Sequence, residues 1–361
     1  LEQSNVTTTV KISQPEPEKI MPDLPPPMAM LRFLGGFRIA RIIYAVAELG
    51  IADLLADGAK TTAELAQATQ TDEPSLYRVL RSLASVGIFA EAENGKFKLT
   101  PTASILRADV ADSLKASVTL FGQDWHWETW GELLHSIKTG EPAFDHLYGM
   151  GLFEFFQKNP QISNQAQESK TSISQRATTS LLDNYDFSAA ESVIQLGVFS
   201  GVKGTLIPLL KANPQLNGTL LDFSTAIESD RAIVEAAGMT ERCRLVAGDC
   251  TESVPTDGDI YLLLFVVHNW GDRGALKILQ NCRQAMAPGA KLLLVEAIMP
   301  QGNTPFPGKL IDIQSLVTTP GGYERTESQY RQLLSQAGFE VTKIIPTQSA
   351  NSIIEAVVVI E

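Results

Sequence analysis

The stretch Val193-Ile194-Gln195-Leu196-Gly197-Val198-Phe199-Ser200-Gly201-Val202-Lys203-Gly204 decides how this chain is read. Its start has the apolar character of a buried strand that turns into a helix at the first glycine. At such a turn, glycines let the backbone come close to a nucleotide-type ligand. Gly197 and Gly201 remain in this loop, while Val198 and Phe199 fill the space between them. A phenylalanine side chain needs room that a ligand would otherwise take, so the loop has the outline of a cofactor cradle with thickened walls.

Outward from this loop, strand-like runs alternate with helical ones. The strands are predicted at Ser192–Leu196, Gly218–Asp222, Cys243–Ala247, Ile260–Val267, Lys291–Glu296, Val341–Ile345 and Ile353–Ile360. Helices are predicted at Thr205–Ala212, Ala226–Ala237, Gly274–Met286 and Glu327–Ala337. Such alternation implies an α/β fold, a doubly wound and mostly parallel sheet covered on both faces. Ligands of these sheets bind at the carboxyl ends of the strands, which selects Gly197, Asp222, Asp249, His268 and Glu296.

Before Tyr185 the pattern is helical. Apolar positions from Leu31 to Leu49 recur at helical spacing until Gly50, and Thr61-Thr62-Ala63-Glu64 is a capping-box pattern. A helix through Leu76, Leu80 and Leu83 and a hairpin about Asn94-Gly95 complete a winged-helix arrangement. The expected division is a mobile tail over 1–27, a winged-helix unit over 28–110, a helical region over 111–185 and the α/β domain over 186–361. The candidate recognition helix carries only Arg78 and Arg81, and the chain has a net charge of −12, so packing or dimerisation is expected there rather than nucleic-acid binding. No apolar run is long enough for a membrane helix. Three cysteines without paired spacing and four histidines without ligand spacing give no disulfide framework and no metal site; reduced thiols and a cytoplasmic location are expected.

Asp222 ends the second strand, where an acid holds a ribose hydroxyl pair, and Asp249 follows the third; each is also an ordinary turn or cap residue. His268 follows eight consecutive apolar residues and precedes Asn269-Trp270. Its ordinary pKa near neutrality suits a general base, although a buried histidine is more often a satisfied core residue. Glu296 lies beside His268 if their strands are neighbours, and Glu324 sits in a loop able to cover the cleft; one or two such carboxylates would orient the imidazole and stabilise its protonated form. Trp125, Trp127, Trp130, Phe153 and Phe156 either line an apolar pocket or fill a helical core.

Taken together, the residues resemble the caffeate/hydroxyneurosporene-type O-methyltransferases that use S-adenosylmethionine (SAM). The resemblance runs from about Met28 to the C-terminus. It rests on Ala47–Leu55, Leu80–Gly87, Thr139–Phe144, His268-Asn269-Trp270, Asn281-Cys282-Arg283, Ala287-Pro288-Gly289, Glu296 and Gly322-Tyr323-Glu324-Arg325-Thr326. It implies an N-terminal winged-helix dimerisation domain, a Rossmann-like SAM domain and a homodimer acting on a small molecule. It also implies that His268 deprotonates a hydroxyl between Glu296 and Glu324, and that Ser174 lies near the methionine end of the cofactor. The departures gather around the cofactor: Gln195 for an aspartate, Val198 and Phe199 for glycines, Leu264 for a lysine and Asn269 for an aspartate. Lys170 stands where the family packs a methionine against the acceptor. There it either binds an anionic group, becomes a nucleophile on desolvation, or is an ordinary solvated helix lysine, the commoner case.

Three readings follow. One is O-methyl transfer to a natural-product-like hydroxyl. Another is a non-methylating cyclase, isomerase, decarboxylase or hydrolase that keeps His268, Glu296 and Glu324 for proton transfer with SAM binding lost. The last is a silent dimer that binds a ligand, which retention of all three acid–base residues opposes.

Overall fold

The computed structural model describes residues 24–92, 94–110, 113–197 and 202–359. Near its start, Thr61 accepts from the Glu64 amide while the Glu64 carboxylate accepts from the Thr61 amide at 2.6 Å, the reciprocal cap that opens the helix Thr62–Thr69. The helix Glu73–Ala84 follows, with Asp72 as its cap, and buries Leu76, Leu80 and Leu83. Strands β1 (Lys60–Thr61), β2 (Phe89–Glu91) and β3 (Lys96–Leu99) form a small antiparallel sheet in the order β1-β3-β2. Phe89 and Phe97 from the hairpin close over Leu65 and Leu80, all at 1% exposure or less, so this unit has its own core. The long first helix begins at Pro26 rather than at Met28, because proline is pre-set for the first helical turn, and it ends where Gly50 takes a left-handed φ of +65°.

The alternation after Tyr185 builds one seven-stranded sheet. Its strands are β4 (Ser192–Leu196), β5 (Asn217–Asp222), β6 (Cys243–Ala247), β7 (Ile260–Leu264), β8 (Lys291–Ala297), β9 (Phe339–Pro346) and β10 (Asn351–Val358), in the order β6-β5-β4-β7-β8-β10-β9. The first five pair in parallel; β10 is antiparallel to both β8 and β9. Alternate residues of β4 serve opposite faces. Ile194 and Leu196 join the core beneath the helices Asp272–Ala285 and Glu327–Gln336, while Val193 joins the core beneath Leu206–Ala212 and Pro160–Asn184. Burying each such side chain contributes about 1.5–3 kcal/mol, enough to fix the strand's register between its neighbours. Because the chain steps from β4 to β5 on one side and later to β7 on the other, the strand order reverses at β4. The crevice of such a sheet opens there, outside the carboxyl ends of β4, β5 and β7.

The predicted strand Ile260–Val267 is shorter than its apolar run. β7 ends at Leu264, since Phe265 turns the chain with a φ of +57°. Left-handed backbone in a non-glycine residue costs roughly 1–2 kcal/mol, which the packing on either side must hold.

Candidate active site

That turn after β7 is what presents His268. Val266 and Val267 are fully buried, and Val267–Asn269 makes one 3-10 turn with the imidazole at its middle. Several side chains fix this backbone. Glu296, at the end of β8, accepts from the amides of Val266 at 3.1 Å and Val267 at 2.8 Å through one carboxylate oxygen. Arg325 is fully buried and donates to the carbonyls of Val267 at 3.1 Å and Trp270 at 2.9 Å, with the Asp272 carboxylate accepting at 2.8 Å. Asn269, which stands for the family's aspartate, donates to the Phe265 carbonyl at 2.8 Å and so closes the turn from within.

Glu324 completes the arrangement. Its amide donates to the Asp312 carboxylate at 2.8 Å, and one carboxylate oxygen lies 2.7 Å from His268 Nδ1. The second oxygens of Glu296 and Glu324 are buried and have no hydrogen-bond partner among the described residues. One donor atom from each of His268, Glu296 and Glu324 lies within 4.8 Å of the others, a cluster that the histidine spacing in the sequence does not reveal. Burial alone would lower the imidazole pKa. The Glu296 charge, then the hydrogen bond and charge of Glu324, outweigh that, so the pKa stands above its ordinary value. Burial also raises the Glu296 carboxyl, against the pull of the imidazolium and with the repulsion of Glu324, to about 7.

The sequence-selected cofactor residues lie beside this cluster at the strand ends. A Cβ on Gly197 would stand 2.2 Å from Asp222 Oδ2, so only glycine fits against that carboxylate. Asp222 is 1% exposed and accepts from the Phe223 amide at 2.8 Å. Asp249 caps its own turn through the Thr251 amide at 2.7 Å, as its ordinary reading has it, and remains half-buried. Ser174 is buried against Gly204, where an added Cβ would come within 2.8 Å of it. Val198, Phe199 and Gly201 lie outside the described residues. Gln195 and Leu264 are interior strand positions, at 0% and 1% exposure, so these two departures change the floor beneath the crevice rather than its wall. Both polar atoms of the Gln195 amide lack a partner among the described residues.

On the other side, Lys170 is half-buried, with its ammonium 6.0 Å from the centre of the Phe153 ring. The expectation of a solvated helix lysine is corrected: Lys170 belongs to the interior, because it stands on a face of Pro160–Asn184 that also carries buried Ala166, Ser174 and Ala177. Trp127 holds the Arg41 guanidinium 5.3 Å above its ring and so lies against the first helix. Its neighbours His126 and Trp130 both meet the Gln314 side-chain oxygen, at 2.8 and 2.7 Å, a polar contact that the sequence reading missed. Trp125, Phe144 and Phe156 fill a separate aromatic core. Asp230 was also not singled out; it accepts from the Val202 amide at 3.3 Å, and burial lifts its pKa to about 6. A cavity of about 780 Å³ runs along another face of the Pro160–Asn184 helix, lined by Lys115, Gln165, Thr171, Lys203 and Asp230. It contains none of the acid–base residues, so the chemistry is assigned to the strand-end crevice.

A parallel sheet in this strand order with a final antiparallel insertion, a glycine and an acid at the first two strand ends, and a winged-helix unit before it define a class I SAM-dependent methyltransferase. Residues 130–340 match the O-methyltransferase domain, and residues 31–109 match the O-methyltransferase dimerisation domain. The chain is 36% identical over 327 residues to the phenazine O-methyltransferase PhzM of Lysobacter antibioticus, covering 91% of this chain and 95% of that one. The crystal structure of LaPhzM superposes with a TM-score of 0.87 at 36% identity, covering 93% and 100% of the two chains. CalO1, a methyltransferase in calicheamicin biosynthesis solved with S-adenosylhomocysteine (SAH), superposes with a TM-score of 0.82 at 31% identity, covering 93% and 99%. The chain belongs to the O-methyltransferase family. It is an enzyme of the methyl-transfer type with SAM as its cofactor, and it carries that family's dimerisation domain. Among the described residues, no helix is long and apolar enough to cross a membrane.

The residues fit that cofactor. The Cβ-free position at Gly197 and the buried carboxylate of Asp222 stand together where a ribose-bearing ligand of such a sheet is held.

Proposed function

We propose that this protein methylates a hydroxyl of a small aromatic natural product, with His268 as the general base. The observation that carries the reading is the 2.7 Å contact between His268 Nδ1 and Glu324. A carboxylate at that distance accepts, so the proton sits on Nδ1 and Nε2 is left with its lone pair toward the crevice. Bound SAM supplies an electrophilic methyl group. The protein's own part is to hold the acceptor hydroxyl at Nε2, take its proton as the oxygen becomes nucleophilic, and share the resulting charge with Glu324 and Glu296. The other oxygen of Glu296 is tied to the turn, so this carboxylate both shapes the backbone and answers the imidazolium. Holding base and acceptor in line contributes more than the proton transfer itself.

Gly197, Gly201, Asp222, Asp249 and Ser174 are assigned to the cofactor, and Lys170, Trp127 and Asn269 to the substrate side, Asn269 through the turn that it closes. The division into a winged-helix unit and an α/β domain is supported by the two separate sheets and cores, the second of which also takes in Ala177 and Leu181 of Pro160–Asn184. A homodimer is supported by the first helix, which leaves Leu31, Phe33, Leu34 and Phe37 each more than half exposed on its surface. Three buried cysteines without a disulfide support a cytoplasmic location.

Calorimetric titration of SAH into the purified protein tests the reading. Binding in the micromolar range is expected. No binding at millimolar ligand, together with His268-dependent turnover of another kind, would replace methyl transfer by a non-methylating reaction on the same scaffold.

A further inference from the structure

The residues assigned to proton transfer are also a set of metal donors. One ligand atom from each of His268, Glu296 and Glu324 lies within 4.8 Å of the others, the one such group of three among the described residues. Histidine spacing cannot reveal it, because the donors come from the turn after β7, the end of β8 and the loop before Glu327–Gln336. Both carboxylates are buried, and each leaves its second oxygen buried without a hydrogen-bond partner among the described residues. Acceptor atoms kept from water in this way are costly unless a donor or a cation meets them.

Imidazole nitrogen and carboxylate oxygen hold zinc at about 2.0–2.2 Å, which sets the donors of a tetrahedral ion about 3.4 Å apart. The 2.7 Å between His268 Nδ1 and Glu324, and the 4.8 Å limit of the group, bracket that spacing, so side-chain rotations can close the site. The His268 side chain is 18% exposed, so an ion reaches it from the crevice, where water completes the coordination. One imidazole among the oxygens favours zinc and cobalt over magnesium or calcium. We propose that His268, through Nδ1, with Glu296 and Glu324 binds a divalent ion of the zinc type, and that this ion arrests methyl transfer. As the ion binds, the Nδ1 proton leaves and the neutral ring takes one up on Nε2, so the ring gains and loses none overall. Nε2 then has no lone pair for the acceptor hydroxyl. This arrest rests on the reading of His268 as the base; the binding does not. The Lys170 and Arg325 charges, which reach His268 and Glu296, oppose an added cation, so micromolar affinity is expected rather than nanomolar.

The test uses the full-length protein freed of metal by a chelator. Zn2+ should bind as one ion per chain in calorimetry, and Co2+ should give visible d–d bands without a thiolate charge-transfer band. His268→Ala and Glu324→Gln should each weaken Zn2+ about tenfold or more, the least expected when a ligand itself is lost. Both should keep SAH affinity, which shows that they are folded; should either fail to fold, the Co2+ spectrum of wild type still decides. In turnover of a phenolic acceptor, Zn2+ should lower kcat, leave the acceptor KM unchanged and be reversed by chelator. No Zn2+ binding at millimolar concentration overturns the proposal. Binding that both variants retain also overturns it, and would move the ion to His135 and His146, whose rings stack 4.0 Å apart. A thiolate band overturns it in favour of a buried cysteine. Binding with kcat unchanged overturns the arrest. If Zn2+ binds these three residues and SAH does not bind at all, the metal site stands and the methyl-transfer reading falls.

Discussion

Replacing Glu324 by glutamine removes the charge that faces His268 while keeping the side chain's size. The position is well suited to the test, because the carboxylate is 1% exposed and its amide is independently held by Asp312. A hydrogen bond to a charged group contributes about 1.5–3 kcal/mol, so the limiting rate should fall about 10- to 150-fold if that bond is strongest as the imidazole takes up the proton. The pH dependence has a definite sign. Glu324 helps hold the imidazole pKa above its ordinary value, and a group with a raised pKa releases its proton only at higher pH. In Glu324→Gln the rising limb of the kcat/KM profile should therefore move to lower pH even as its plateau drops. Methyl transfer to a phenolic acceptor, followed as SAH release across the acid and alkaline range, reads both quantities. A lower plateau with an unmoved limb would mean that Glu324 acts only through the fold of its loop. An unchanged plateau would remove the carboxylate from the mechanism altogether.

Other perturbations separate the cofactor side from the base. Gly197→Ala drives a Cβ to within 2.2 Å of the Asp222 carboxylate; SAH affinity should fall about tenfold or more, the scale of one lost or bent polar contact, with far-UV circular dichroism unchanged. The double change Val198→Gly and Phe199→Gly should tighten SAH in calorimetry, and unchanged affinity would refute the steric argument drawn from the sequence. Arg325→Met leaves the carbonyls of Val267 and Trp270 without their buried donor and should cost about 3 kcal/mol in chemical denaturation. Glu355→Gln should weaken the protein by about 1–3 kcal/mol at neutral pH by disturbing an acceptor shared by Tyr185 and Thr342. Burial would raise this carboxyl, but bonds from Thr342, Tyr185 and Lys291 hold it down at about 2. Its stabilisation is therefore complete above about 4.5 and fades as pH falls toward 2 in wild type alone.

What the sequence disclosed and what it hid divide along physical lines. The strands Ser192–Leu196 and Cys243–Ala247 were legible to the residue, because each apolar run is bounded by a residue that cannot continue it inside the sheet. The Thr61 cap was legible because its bonds are local. Ile260–Val267 was overread for the opposite reason. Val266 and Val267 are as buried as the strand before them, so hydrophobicity continues through a backbone reversal that only a φ of +57° at Phe265 reveals. His268, Glu296 and Glu324 were found by their places at strand ends and in one loop, but the charged residue that locks their geometry, Arg325, was not. Its bonds run to carbonyls and to Asp272 more than fifty positions away, and a side chain–to–backbone contact of that span leaves no spacing to read.

The altered glycine loop shows how far such reading carries. From sequence, five departures near one loop look like a single injury to cofactor binding. In three dimensions they separate. Gln195 and Leu264 are sealed in the sheet, and Asn269 works within the turn of the base. Val198 and Phe199 lie outside the described residues. A buried amide without a partner among the described residues costs stability, about 1–3 kcal/mol. Departures from a family pattern therefore cannot be summed by their closeness in the chain; their weight depends on which face of the strand end each one occupies. Here two of the five lie sealed in the sheet and one in the turn that carries His268, so closeness in the chain overstates their joint effect.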